Sequence, residues 1–240
     1  GLLTRLYIGT PATIASVAPV VDFVAEDYQA LKPLALRMTG GEPTGVWYTG
    51  CMYGIGGDLV FDPCNRLTFL DLGTGVSTEV IGDGFNPSKL SPDRTWVAYA
   101  QQGGGMPLVI LNLETGENHT FPAWAENDRG SGDGIFTPDS TLVAWMEGSG
   151  YRMDDPITFH SLLRIGTTGG GLVADFEAAD FNAVAGFEVM WASPVGWLDN
   201  DSLYIQIGGV DWHDDAIVRL DLPGSLLLVS NGNFIGLTYP

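Results

Sequence analysis

The chain of 240 residues carries 29 acidic against 10 basic side chains, a formal charge of −19, and is 45% hydrophobic and 11% aromatic. That apolar content can fill a sizeable core and excludes low-complexity disorder, while so negative a surface makes nucleic acid and anionic membranes poor partners and suits cations, a basic protein partner or simple solubility. No run of about 18 apolar residues occurs, so no segment is expected to span a bilayer, and 33 Gly with 14 Pro point to many turns and an all-β chain of short strands.

Taken in chain order, the first 38 residues do not resemble the rest. Strand-like pieces at Leu6 to Gly9 and Ile14 to Val17 precede Phe23 to Leu36, where Phe23, Tyr28, Leu31 and Leu34 predict a short helix that Pro33 would end or kink. Leu34 to Met38 is open to a strand reading. Residues 1–44 are therefore read as an N-terminal extension with a candidate closing strand, and residues 45–240 as repeats.

The first full unit runs from the aromatic strand Val46-Trp47-Tyr48-Thr49 through Leu67 to Leu72, a turn at Gly73-Thr74-Gly75, and Thr78 to Ile81. The second begins at Leu90-Ser91-Pro92-Asp93, continues through Trp96 to Tyr99, and resumes at Leu108 after a Gly103-Gly104-Gly105 loop. Leu67 to Gly75 aligns residue by residue with Leu108 to Gly116, and both end in a Thr-Gly turn, where glycine best tolerates a positive φ. The third unit repeats the preceding strand, Phe136-Thr137-Pro138-Asp139 matching Leu90-Ser91-Pro92-Asp93, and then carries an insertion from Gly148 to Phe159. In the fourth, Trp197 to Ile205 replaces the Ser-Pro-Asp turn and Ile217 to Leu222 restores a strand ending in Leu-Asp-Leu. Leu226 to Val229 and Phe234 to Thr238 read as final strands.

A repeat of about 40 to 55 residues with four short strands has the spacing of a β-propeller, because a single blade cannot bury its own faces and must stack on neighbours. The fold expected is all-β, a propeller of four-stranded antiparallel blades, about four to six in number, with N- and C-terminal strands as candidates to close the ring. The Ser-Pro-Asp turn, the strand ending in Asp and the Thr-Gly hairpin resemble the TolB-like and WD40-like propeller repeat, which also occurs in the propeller of prolyl oligopeptidase-type peptidases. Ser91-Pro92-Asp93, Thr137-Pro138-Asp139, Leu70-Asp71-Leu72, Leu111-Asn112-Leu113 and Leu220-Asp221-Leu222 carry the resemblance, over about Gly45 to Val229. The glycine usual after Ser-Pro-Asp is replaced by Arg94 and Ser140. The resemblance implies a periplasmic or cell-surface propeller acting in protein association, and it specifies architecture far better than function.

Two cysteines, Cys51 and Cys64, bracket a loop-rich segment and are read as a disulfide, against the alternative of two unpaired buried thiols. Gly130-Ser131-Gly132 and Gly148-Ser149-Gly150 lack the spacing of a hydrolase nucleophile elbow. Paired loop carboxylates could hydrolyse glycosides, with Asp58, Asp133, Asp154, Asp155 and Asp211 as candidates. Asp128 and Asp133, near Glu126, offer oxygen ligands for Ca²⁺ in a Gly-rich loop, and the run Asp211 to Asp215 mixes nitrogen and oxygen donors; solvated turn residues are the favoured reading of both clusters, because carboxylates in loops are ordinary. No cofactor is expected, with Ca²⁺ the one ion kept as a candidate. Trp96 and Trp145 alternate as core residues, whereas Trp124 and Trp212 lie on predicted loops and are candidate partner contacts. The sequence thus favours a non-enzymatic extracellular or periplasmic binding or structural subunit of a larger assembly, with a carbohydrate-active hydrolase as the alternative.

Overall fold

The computed structural model describes residues 2–6, 21–25, 30–51, 66–81, 90–100, 107–125, 130–132, 134–150, 160–211 and 213–232. It is built from antiparallel strands, and the chain divides into two compact units, residues 1–88 with 113–116, and residues 89–112 with 117–240. No helix among the described residues is long and apolar enough to cross a membrane.

In the first unit β1 (Leu2–Leu6) and β2 (Val21–Ala25) form a hairpin. A four-stranded meander then follows in chain order: β3 (Ala30–Thr39), β4 (Glu42–Cys51), β5 (Arg66–Asp71) and β6 (Ser77–Ile81). The helix expected over Phe23 to Leu36 is not formed among the described residues; β2 ends at Ala25 and β3 begins at Ala30. A helix that short is marginal without tertiary support, whereas β3 gains a full ladder against β4. Pro33 is tolerated because β3 lies at the sheet edge and the register shifts between Pro33 and Ala35. The four-stranded sheet of this unit starts at Ala30. Trp47 is buried with its ring centroid 4.8 Å from that of Phe69, and its indole N–H donates to the Leu113 carbonyl.

The second unit holds three more meanders. The first joins β7 (Trp96–Ala100), β8 (Leu108–Asn112) and β9 (Asn118–Thr120), with Leu90 bridging Val97 where an inner strand would lie. The next joins β10 (Gly130–Ser131), β11 (Ile135–Phe136), β12 (Leu142–Ser149), β13 (His160–Thr167) and β14 (Leu172–Glu177), β10 and β11 both pairing with β12. The last joins β15 (Val189–Trp197), β16 (Ser202–Gly209), β17 (Asp215–Asp221) and β18 (Ser225–Asn231). The sheets stack through their side chains. Ala98, Leu108 and Ile110 pack on Phe121, Phe136, Val143 and Trp145, and Ala144, Leu163 and Ile165 pack on Leu203, Ile205 and Val218 of the next sheet. Each such large aliphatic side chain contributes about 1.5–3 kcal/mol when taken from water, and it can do so only with a neighbouring sheet on its face.

The Ser/Thr-Pro-Asp turns each reverse the chain within one sheet, between Leu90 and β7 and between β11 and β12. Asp93 accepts from the Ser91 hydroxyl at 2.6 Å and the Thr95 amide at 2.9 Å; Asp139 repeats this with Thr137 at 2.7 Å and Thr141 at 3.1 Å. Desolvation works against both carboxylates, but these hydrogen bonds outweigh it and hold both pKa values below the ordinary range. The turns are also linked: the Asp93 amide donates to the Ser140 hydroxyl at 3.3 Å, and the Asp139 amide to the Asn200 side chain at 3.1 Å. Arg94 and Ser140 sit where glycine is usual, at φ of 61° and 64°. Arg94→Gly should therefore raise stability by roughly 0.5–1 kcal/mol by relieving the left-handed backbone. Ser140→Gly should give no gain, since it also removes the acceptor of the Asp93 amide. Denaturant midpoints of the two variants, compared at constant m, check the contrast.

A cleft at one end of the second unit

The only helical segment among the described residues lies between β14 and β15. Glu177 caps a 3₁₀ turn, Ala178–Phe181, which runs into α1 (Asn182–Ala185), and Gly186 ends it at φ 77°. The cap is reciprocal: the Glu177 side chain accepts from the Asp180 amide, and the Glu177 amide donates to Asp180 at 2.8 Å. Phe181 is fully buried in the core beneath, and the Asn182 side chain accepts from the Val189 amide at 2.7 Å, tying the far end of the insertion to β15.

This insertion walls a cleft of about 290 Å³. Trp124, in the connector after β9, lines it, with His160 and Ser161 from the start of β13, Glu177, Asn182 and Glu188. Trp124 is half-buried, while His160, Glu177 and Glu188 are exposed. Ser161 is 2% exposed and its hydroxyl accepts from the Ala192 amide at 2.8 Å, so it is a structural hydroxyl set in the floor. The cleft thus combines an indole, an imidazole and two carboxylates, a lining suited to a cation with an apolar stem.

Trp124 is held from behind by a buried charged network. Glu147 on β12 is 0% exposed; one carboxylate oxygen accepts from the Trp145 indole at 3.0 Å and from Arg164 at 2.8 Å, the other from the Trp124 amide at 2.6 Å. Arg164, opposite Trp145 in the β12–β13 ladder, lies over its ring at 5.5 Å, donates to Asp175 at 3.0 Å and also to the Pro122 carbonyl. Burial works against the Arg164 charge, yet its hydrogen bonds to Glu147 and Asp175 outweigh that and push its pKa further up.

Of the residues singled out from the sequence, Trp124 falls in this cleft. Trp212, the Ca²⁺ candidates Asp128 and Asp133, and the acids Asp58, Asp154 and Asp155 lie outside the described residues, as does Cys64, so the Cys51–Cys64 pairing does too; Cys51 ends β4. Asp211 is exposed in the β16–β17 turn, where its carbonyl accepts from the Asp214 amide at 2.8 Å. Among the described residues no group of three or more His, Cys, Asp or Glu is placed to hold a metal ion. Sequence reasoning passed over Glu177, Glu188, His160 and the Glu147–Arg164 pair. A signal for the pair existed, since Trp145 and Glu147 are two apart on a strand and so share a face.

No protein-family model matches the sequence, and a search of curated proteins gives no match. Solved structures do resemble it, and they are propeller-type proteins of the kinds the repeat resembles. The acylaminoacyl peptidase of Pyrococcus horikoshii matches with a TM-score of 0.49 at 11% identity, over 84% of this chain and 33% of that one. The β-propeller domain of the Trilobed protease from Pyrococcus furiosus matches at 0.47 and 11%, over 85% and 58%. A putative TolB from Agrobacterium tumefaciens matches at 0.42 and 11%, over 76% and 60%. The chain spans about a third of the first protein's length and less than two thirds of the other two.

Proposed function

We propose that the four meanders are successive blades of a β-propeller and that the chain is a non-catalytic, protein-binding subunit of an assembly outside the cytoplasm, gripping a basic segment of its partner in the cleft. Consecutive antiparallel sheets of three to five strands, whose apolar side chains within the second unit are buried against the next sheet, support the blade reading. The observation that carries the binding reading is the cleft lining: Trp124 beside Glu177 and Glu188 offers an aromatic surface and negative charge to a Lys or Arg side chain. The net charge of −19 would steer such a partner toward the chain.

Titration with a short Lys/Arg-rich peptide tests this. Glu188→Gln should weaken binding about two- to fivefold, the scale of one exposed ion pair, and Trp124→Ala about tenfold or more, the scale of an interfacial aromatic anchor. Binding should also weaken with added salt. Affinity unchanged in both variants would reject the cleft as the site. Glu177 and Glu188 sharing one cleft is also what favours the second reading, glycoside hydrolysis by paired carboxylates. Turnover of a glycoside that Glu188→Gln abolishes would put that reading in its place.

A further inference from the structure

We infer that the buried Glu147–Arg164 pair is a positioning device: it pins the connector that carries Trp124 and thereby sets the aromatic wall of the cleft. The inference rests on the cleft being the binding site, and it explains why two charges are kept inside a sheet. Phe121 makes the last ladder-type bond of the connector, its amide donating to the Leu108 carbonyl at 2.9 Å. Pro122 has no N–H to give, and residues 121–124 form no strand. The connector is instead held by the pair. Arg164 donates to the Pro122 carbonyl, and the Glu147 oxygen not used by Arg164 or Trp145 takes the Trp124 amide at 2.6 Å.

A pair that served only the sheet could satisfy itself between Trp145, Glu147, Arg164 and Asp175. Here each charged partner reaches off the sheet to the same three-residue segment, one to a carbonyl and one to an amide. An apolar pair of similar volume could fill the space and match the stability. It could not hold a backbone amide and a backbone carbonyl.

The test replaces both charges at once, Glu147→Leu with Arg164→Met, in protein labelled with 5-fluorotryptophan, the position-124 resonance being assigned by Trp124→Phe. The expected result is a folded variant in which that resonance shifts and broadens while that of Trp197 stays in place. Affinity for the Lys/Arg-rich peptide should fall about tenfold, matching Trp124→Ala. A folded variant with the position-124 resonance and the affinity both unchanged overturns the inference. Amide exchange in the unaltered protein decides the matter if the double variant does not fold. The Trp124 amide should exchange at least about a hundredfold more slowly than that of Ala125, as befits a bond to a buried carboxylate, and exchange at the rate of an unstructured residue overturns the inference. Should the unaltered protein bind no cationic peptide, the functional reading fails, while the fluorine and exchange readouts still decide whether the pair positions Trp124.

Discussion

Arg164→Met alone is expected to destabilise the protein by about 3–5 kcal/mol, far more than the removal of both charges. The side chain of Glu147 is 0% exposed and that of Arg164 7%, so losing the guanidinium strands a carboxylate with no water to solvate it. The hydrogen bonds that the Trp145 indole and the Trp124 amide give that carboxylate come from neutral donors. Neutral donors do not neutralise a charge, and desolvation of an unpaired ion outweighs what they return. Asp175, 37% exposed, loses its partner as well but regains water. The double variant should recover most of the loss, so the two substitutions are strongly non-additive. Denaturant unfolding of the two single variants and the double one measures the coupling. An Arg164→Met midpoint within about 1 kcal/mol of the unaltered protein would show that Glu147 finds another way to be satisfied.

The repeat was legible because turn chemistry is local. Ser91-Pro92-Asp93 and Thr137-Pro138-Asp139 announce a turn in sequence, and in the structure their side chains make it, with Asp93 and Asp139 accepting from residues within two positions. The aligned Leu67 to Gly75 and Leu108 to Gly116 stretches both become a strand and a turn closed by a glycine, at φ 70° and 76°. Strand β3 was legible only at Leu34 to Met38, because the apolar residues before it fit two periods and the ladder with β4 decides between them. The cleft was hidden for a different reason. It is assembled from the connector at Trp124, the start of β13 and an insertion of helical turns after β14, three places far apart in sequence whose meeting depends on how sheets stack. The acids were numerous enough that sequence could not separate them by role. The structure separates them by partner. Asp71 and Asp199, like Asp93 and Asp139, spend their oxygens on backbone amides of their own turns, bonds that lower their pKa, whereas Glu188 faces the cleft.

Gly166→Ala should cost about 2–3 kcal/mol through a single methyl group. A Cβ on Gly166 would stand 2.4 Å and 2.5 Å from two ring carbons of Phe121 and 3.3 Å from the Gly171 carbonyl oxygen. The ring has nowhere to go. Phe121 is 1% exposed and its centroid is 4.6 Å from that of Trp145, whose indole is in turn fixed to Glu147. Gly169→Ala, in the turn three residues on, meets nothing closer than the Thr167 hydroxyl oxygen at 3.7 Å and should be nearly neutral, which makes it the control for adding a methyl group where there is room. Because Phe121 leads directly into Pro122 and Trp124, displacing its ring should also weaken binding of the cationic peptide, so stability and affinity fall together in Gly166→Ala and not in Gly169→Ala. Combining Gly166→Ala with Phe121→Leu provides the decisive comparison. If the ring is what the methyl meets, the smaller leucine makes room and the double variant is more stable than the sum of the single losses predicts; strictly additive losses would place the clash elsewhere, at the Gly171 carbonyl, and would free the connector from any strain originating in β13.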